Sequence, residues 1–264
     1  MKWNLFYHCW PLAKILLTAR RGMSLSKFSA LHIKRGQQVI DIGAHAGVTA
    51  SVFSCCVGPK GRVDAFEPNP ALRESLELAR ARNRWKNIFL HYEAISDSEG
   101  ELEFFKDDRS IATASTFNPN HVRREMQVHG AQFSSIKVTT TTLDKFCERQ
   151  NTGPHFMKID VEGAEDTVIQ GGLATIRKHL PIIWFECWCG QEQGKPVNNR
   201  LSHIETLPTL GYKLHVATVI EKGGHFVSQS DAANIQDLVP LGSEILTGPP
   251  IGIDVVAIPP HKSL

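Results

Sequence analysis

From residue 36 onward the chain repeats one pattern: a short apolar run, a glycine-containing turn, then an amphipathic stretch. Gln38–Ile42 (QVIDI) is an apolar run carrying Asp41 near its end, the pattern of a buried parallel strand. Gly43–Gly47 reads as a turn, and Val48–Val57 as a helix closed by Gly58-Pro59. Arg62–Phe66 (RVDAF) predicts a second strand, followed by Glu67-Pro68-Asn69-Pro70. Ala71–Arg84, rich in Leu, Ala, Glu and Arg, predicts an amphipathic helix, and Asn87–Glu93 a third strand.

The rhythm then breaks. Glu101–Phe105 and Ile136–Thr142, the second with a run of β-branched residues, predict extra strands. Residues 106–135 between them are polar, contain Pro119 and show weak periodicity. An irregular insertion of this kind points to a lid or a mobile loop. Alternation resumes with a helix at Leu143–Gln150, a strand at His155–Ile159, a helix at Ala164–Gln170 and a strand at Ile182–Glu186. Asn199–Leu210 predicts a further helix, and Tyr212–Val219 and Gly252–Ile258 the last strands. The whole implies an α/β fold: a mainly parallel, Rossmann-like sheet with helices on both faces. A single domain over residues 36–264 is expected, preceded by a basic helical extension over residues 1–35. In such sheets ligands bind outside the carboxyl ends of the strands. Asp41, Glu67, Glu93, Asp160 and Glu186 each end a predicted strand, so five carboxylates are expected on one rim.

The turn Gly43-Ala44-His45-Ala46-Gly47 lets the backbone approach a ligand closely. A dinucleotide site would use G-x-G-x-x-G and hold a pyrophosphate on the helix N-terminus. Here the middle glycine is missing, and an acid precedes the turn. A carboxylate there repels phosphate but pairs with an ammonium group. S-adenosyl-L-methionine carries an ammonium and a sulfonium and no phosphate, so the charges favour it over NAD. Glu67 follows Gly43 by 24 residues, the length of one strand–helix–strand unit, and an acid there takes both hydroxyls of a ribose.

Five segments resemble the FkbM-type methyltransferase family in order and spacing between about residues 36 and 187. They are Asp41–Gly47 (DIGAHAG), Phe66-Glu67-Pro68, Ala94–Asp97 (AISD), Thr142-Leu143-Asp144 and Lys158–Glu165 (KIDVEGAE), the last being the most specific. The resemblance implies a class I methyltransferase fold, S-adenosylmethionine as methyl donor, and methylation of a hydroxyl oxygen. Family acceptors include sugars of glycans and polyketide-type metabolites. His45 stands where the family usually has Asn, and the insertion at 106–135 carries no recognised family motif.

Site roles follow as expectations. Gly43, Ala44, His45 and Gly47 form the donor loop, and Asp41 orients that loop or the methionine ammonium. Glu67, followed by Pro68, holds the ribose hydroxyls, and Glu93 and Ala94 border the adenine. Asp160 faces the methionyl end, near the methyl group. A hydroxyl acceptor must lose its proton, so a general base helps. Asp160, Glu162 and Glu186 are the candidates, with His121, His129 or His155 as outsiders. Glu162 is equally readable as a cap on the helix that follows, and Glu186 as a paired structural acid. The three acids also have the chemistry of a Mg²⁺ or Ca²⁺ site, although the resemblance requires no metal and none is expected.

Composition narrows the partners. The 264 residues are 42% apolar and 21% charged with a net charge of +2, too small to argue for nucleic acid or anionic lipid. Seven basic and no acidic residues precede Asp41. Leu12, Ile15, Leu16 and Ala19 fall on one helical face after Pro11. That face reads as a packed cap on the domain ahead of a membrane-surface or targeting role for residues 1–30. No run is long enough to span a bilayer. Six scattered cysteines without a CxxC pair fit a reducing cytoplasm. The expected partner is therefore a small-molecule or glycan acceptor. The competing readings are an NAD-linked oxidoreductase and a non-catalytic donor-binding module.

Overall fold

The computed structural model describes residues 20–261 apart from 109–114, 120–121, 124–125, 128–129, 152, 190, 193–194, 197–201, 221–225, 228–238 and 243–250. The apolar face after Pro11, and His121 and His129, lie outside the described residues. The elements run α1 (Arg20–His32), β1 (Gln38–Ile42), α2 (Val48–Val57), β2 (Arg62–Phe66), α3 (Arg73–Arg82) and β3 (Ile88–His91). Next come β4 (Ala94–Ser96), β5 (Gly100–Asp107), β6 (Phe133–Thr142), α4 (Leu143–Gln150), β7 (Phe156–Ile159), α5 (Glu165–Gln170) and α6 (Leu173–His179). The chain closes with β8 (Ile182–Cys189), α7 (Ser202–Thr209), β9 (Lys213–Ile220) and β10 (Ile251–Ile258).

The main sheet has the order β9-β10-β8-β7-β1-β2-β3, with Phe226–Val227 and Val239–Pro240 paired onto β9. Strands β3, β2, β1, β7 and β8 are parallel, as the apolar runs predict, and β10 inserts antiparallel to both β8 and β9. The chain leaves β1 toward β2 on one side and reaches β7 on the other. That reversal opens a crevice between the ends of β1 and β7.

Alternating side chains sort the core into two layers. Val39, Val63, Phe156 and Trp184 pack with Phe28 of α1, Phe53 of α2 and Leu76 of α3 on one face. Ile40, Ile42, Met157, Ile159 and Phe185 pack with Phe146, Val168, Ile176 and Leu207 of the later helices on the other. Helix α1 is thus anchored on the sheet, the Phe28 ring lying 5.5 Å from that of Trp184 and 6.4 Å from that of Phe156.

Three elements differ from the sequence pattern. The helix expected from Ala71 begins as a 3₁₀ turn, Pro70–Leu72, because the Asn69 side chain caps it by accepting from the Ala71 amide at 3.0 Å. Helix α6 escapes a periodicity search because Gly171-Gly172 cut it from α5 and leave seven residues. The extra strands β5 and β6 join β4 in a separate three-stranded sheet, order β4-β6-β5. Among the described residues Cys56, Cys147, Cys187 and Cys189 carry free thiols. Among the described residues no helix is long and apolar enough to cross a membrane.

Candidate active site

The loop after β1 is built by three left-handed residues, Gly43 (φ 78), His45 (φ 50) and Gly47 (φ 78). At Gly43 a Cβ would lie 1.9 Å from the Asp160 carbonyl oxygen, so only glycine lets the loop meet the end of β7. At Gly47 a Cβ would lie 2.9 Å from Cβ of Ala79, which makes that glycine a helix-packing device. The loop amides are spent inside the protein. Gly43 and Ala44 donate to Phe66 O at 3.0 and 2.9 Å, His45 to the Glu67 carboxylate at 2.9 Å, and Gly47 to Ala44 O at 2.8 Å. Few remain for a pyrophosphate.

Glu67, only 7% exposed, accepts from His45 N through one oxygen and from Asn69 N through the other, each at 2.9 Å. Burial raises its pKa, and the two amides counter that rise. The carboxylate is therefore locked in place without help from a helix, and lone pairs remain for a ligand.

Lys158 is the residue that sequence reasoning passed over. Parallel register sets it beside Asp41 on the neighbouring strand. Its ammonium donates to Gly43 O at 2.9 Å, and lies 3.2 Å from Asp160 Oδ2 and 3.5 Å from Asp41 Oδ1. Burial alone would lower the Lys158 pKa, yet the carboxylates of Asp160 and Asp41 hold it above its ordinary value. Burial pushes the Asp41 carboxyl up to about 6, with Lys158 pulling it down and Asp160 pushing it up.

The segment after β7 turns through Glu162 (φ 54) and Gly163 (φ 93). Glu165 holds that turn, its Oε1 accepting from Val161 N at 3.1 Å and Gly163 N at 3.2 Å. From outside, Thr116 Oγ1 donates to Glu162 O at 2.7 Å and Asn118 Nδ2 to Gly163 O at 2.9 Å. The insertion thus clamps the turn after β7, a contact no periodicity in residues 106–135 disclosed. Burial raises the Glu165 pKa from 4.5 to about 7, with its amide partners opposing. Between these values the folded protein keeps a proton that the unfolded chain releases, so this contribution to stability is lost as pH rises through the window. Buried His203, lowered from 6.5 to about 4 by burial, acts in the opposite sense over part of the same range. A comparison with Glu165→Gln isolates the first term. Urea unfolding from pH 5 to 8 is expected to show the variant gaining on the wild type by up to about 3 kcal/mol; a constant difference would show that Glu165 does not bind this proton.

These segments form a cleft of about 190 Å³, open to solvent and lined by Gly43, His45, Phe66, Glu67, Pro68, Leu72, Ala94, Ile95, Phe104, Ser115, Phe117 and Asp160–Glu162. A second cavity of about 120 Å³, also open to solvent, shares Asp160 and is walled by Leu25, Thr49, Lys158, Trp184, Glu186 and Asp254. At the junction Asp160, Glu162 and Glu186 bring carboxylate oxygens within 4.8 Å of one another.

With that geometry in place, the comparisons with known proteins decide the family. The model of the methyltransferase FkbM domain matches residues 41–214, well over half of the chain. The chain belongs to the FkbM methyltransferase family. It is 27% identical to the 2-O-methyltransferase NoeI of Sinorhizobium fredii (strain NBRC 101917 / NGR234) over 147 residues, 53% of this chain and 59% of that protein. The matched stretch therefore spans about three-fifths of the length of this relative. The FkbM methyltransferase of Methylobacillus flagellatus KT aligns over 87% of this chain and 47% of its own at 12% identity, with a TM-score of 0.48. An S-adenosylmethionine-dependent O-methyltransferase of Thermotoga maritima aligns over 90% and 66% at 14% identity, with a TM-score of 0.43. These likenesses concern the course of the chain, not substrate. The fold is class I, and the donor of the FkbM family is S-adenosylmethionine.

The lining charge of the cleft suits that donor. Among its described lining residues the larger cleft has carboxylates and no Lys or Arg, which favours a cationic sulfonium ligand and opposes a pyrophosphate. Of the residues expected to bind donor, Gly43, His45, Glu67, Pro68, Ala94 and Asp160 line the cleft. Asp41 does not: it is wholly buried, and its contact is with Lys158, so it reaches the donor loop only through that ammonium. Ala44 is buried in the core beneath the loop. Glu93 turns away from the cleft to lie 3.7 Å from the Arg149 guanidinium on α4. The rim thus carries three of the five strand-end acids. His155 lies at the opposite, amino end of β7, where its ring nitrogen approaches the Gln38 amide.

Proposed function

We propose that the chain transfers the methyl group of S-adenosylmethionine to a hydroxyl oxygen of a saccharide or related secondary metabolite. The observation that carries this reading is the locked Glu67 carboxylate in the same cleft as Asp160 and Glu162, with a second cavity opening at their junction with Glu186. Glu67 accepts from the ribose hydroxyls; Ala94, Ile95, Phe104 and Phe117 offer an apolar slot for the adenine. Loop 43–47 and Asp160 receive the methionyl end. The smaller cavity, whose carboxylates match the hydroxyls of a neutral polyol, receives the acceptor. Kinship with a protein named a 2-O-methyltransferase supports oxygen as the methylated atom.

The donor supplies an activated methyl group on a sulfonium. As the oxygen–carbon bond forms, the carbon–sulfur bond breaks, and its electron pair stays on sulfur, leaving a neutral thioether. The hydroxyl proton passes to a junction carboxylate. Alignment of donor and acceptor is the larger task of the protein, worth roughly 7–11 kcal/mol in well-oriented systems. The same three carboxylates have the donor set of a hard divalent cation, but the Lys158 ammonium already occupies a face of Asp160.

Calorimetric titration with S-adenosylmethionine, with NAD in parallel, tests the reading, followed by methyl transfer to neutral sugars and glycans with and without chelator. Binding of S-adenosylmethionine alone, with chelator-resistant transfer to a hydroxyl, is expected. Binding of NAD alone would replace the reading with an oxidoreductase, and donor binding without transfer to any acceptor would leave a donor-binding module.

A further inference from the structure

We propose that Lys158 is a positioning residue for methyl transfer: one buried ammonium ties the donor loop to the turn that carries Asp160, and without it the cleft does not hold its donor. The inference rests on the reading of the cleft as a donor site. The two walls of that cleft come from chain segments more than a hundred residues apart, the loop after β1 and the turn after β7. Where they meet, Gly43 packs backbone to backbone on Asp160, whose amide donates to Ile42 O at 3.0 Å, and no side chain at position 43 reinforces the contact. Lys158 supplies the lock from beneath. Its ammonium donates to the carbonyl of Gly43, fixing the plane of the peptide that enters the loop, and reaches Asp160 Oδ2 at 3.2 Å.

The same ammonium has a second, purely structural task. Asp41 is fully buried with neither carboxylate oxygen hydrogen-bonded, and Lys158 at 3.5 Å is its compensation. Removing Lys158 alone would strand that charge and destabilise the fold whatever the site does. Removing both charges cures the stranding but not the loss of the Gly43 and Asp160 contacts. The two tasks are thus separable in one double variant.

The experiment compares the wild type with Lys158→Met/Asp41→Asn, recording thermal unfolding and the Kd for S-adenosylmethionine. A positioning role predicts a double variant that melts close to the wild type yet binds the donor at least about tenfold more weakly, with kcat lowered on whichever acceptor the wild type methylates. Wild-type affinity and kcat in the folded double variant would overturn the proposal and reduce Lys158 to a counter-ion for Asp41. If the wild type itself fails to bind S-adenosylmethionine, the donor reading falls and takes this inference with it, an outcome visible before any variant is made. Should the double variant not fold, Lys158→Met/Asp41→Leu, which also removes the buried polar atoms at position 41, provides the same two readings.

Discussion

Replacement of Glu67 by alanine is expected to weaken S-adenosylmethionine binding by about a hundredfold or more. Two hydrogen bonds from ribose hydroxyls to one ionised carboxylate are worth about 1.5–3 kcal/mol each. The cost is concentrated here because the residue does two things. It faces the cleft, and it anchors the amides of His45 and Asn69, so its loss releases the donor loop and the start of the 3₁₀ turn together. Glu67→Gln separates these effects, since an amide oxygen still accepts one hydrogen bond. Its donor affinity should fall between that of the wild type and that of the alanine variant. Calorimetric titration of folded Glu67→Ala with affinity equal to the wild type would remove Glu67 from the donor site altogether.

The second large effect is expected at Glu186. Asp160 is engaged by Lys158, and Glu162 lines the donor cleft, whereas Glu186 sits at the junction on the side of the second cavity. A hydroxyl entering from that side meets Glu186, so Glu186→Gln is expected to lower kcat by about 10²–10⁴, the usual weight of a general base. Donor affinity should stay within about a factor of three, because less than 0.7 kcal/mol of donor binding is at stake if Glu186 does not touch the donor. Single-turnover methyl transfer with saturating donor reads the chemistry directly. Full turnover in Glu186→Gln with a collapse in Glu162→Gln would move the base to Glu162. Full turnover in both would leave neither with that role.

Much of the fold was legible because buried parallel strands write themselves as apolar runs. Gln38–Ile42 and Arg62–Phe66 begin and end where their apolar runs do, although each run carries one buried acid, Asp41 and Asp64. The short helix α6 was illegible for the opposite reason: seven residues are too few for a period of 3.6 to show. The insertion was read only as an irregular stretch. Its described residues act through single contacts, Thr116 and Asn118 on the backbone of Glu162 and Gly163, and single contacts have no period.

The site divides along the same line. Spacing alone marked Gly43, Glu67 and Asp160, because a strand end followed by a glycine turn or an acid has local meaning wherever the sheet places it. Local order could not separate Glu67, which faces the cleft, from Glu93, which Arg149 draws away, or from Asp41, which lies beneath the loop. All three are acids at strand ends; what distinguishes them is which face of the sheet each points to and what stands opposite. Lys158 shows the point most clearly. Its sequence neighbours suggest nothing about a buried cation, and only the parallel register of β1 and β7 sets it against Asp41 and under Gly43. The sequence by itself determined the α/β architecture through its periodicity, and the resemblance of its motifs to the FkbM family implied the family and the donor. The tertiary structure decided which carboxylates line the cleft and which cation lies against them, because charge pairing in a buried site depends on distances between segments far apart in the chain.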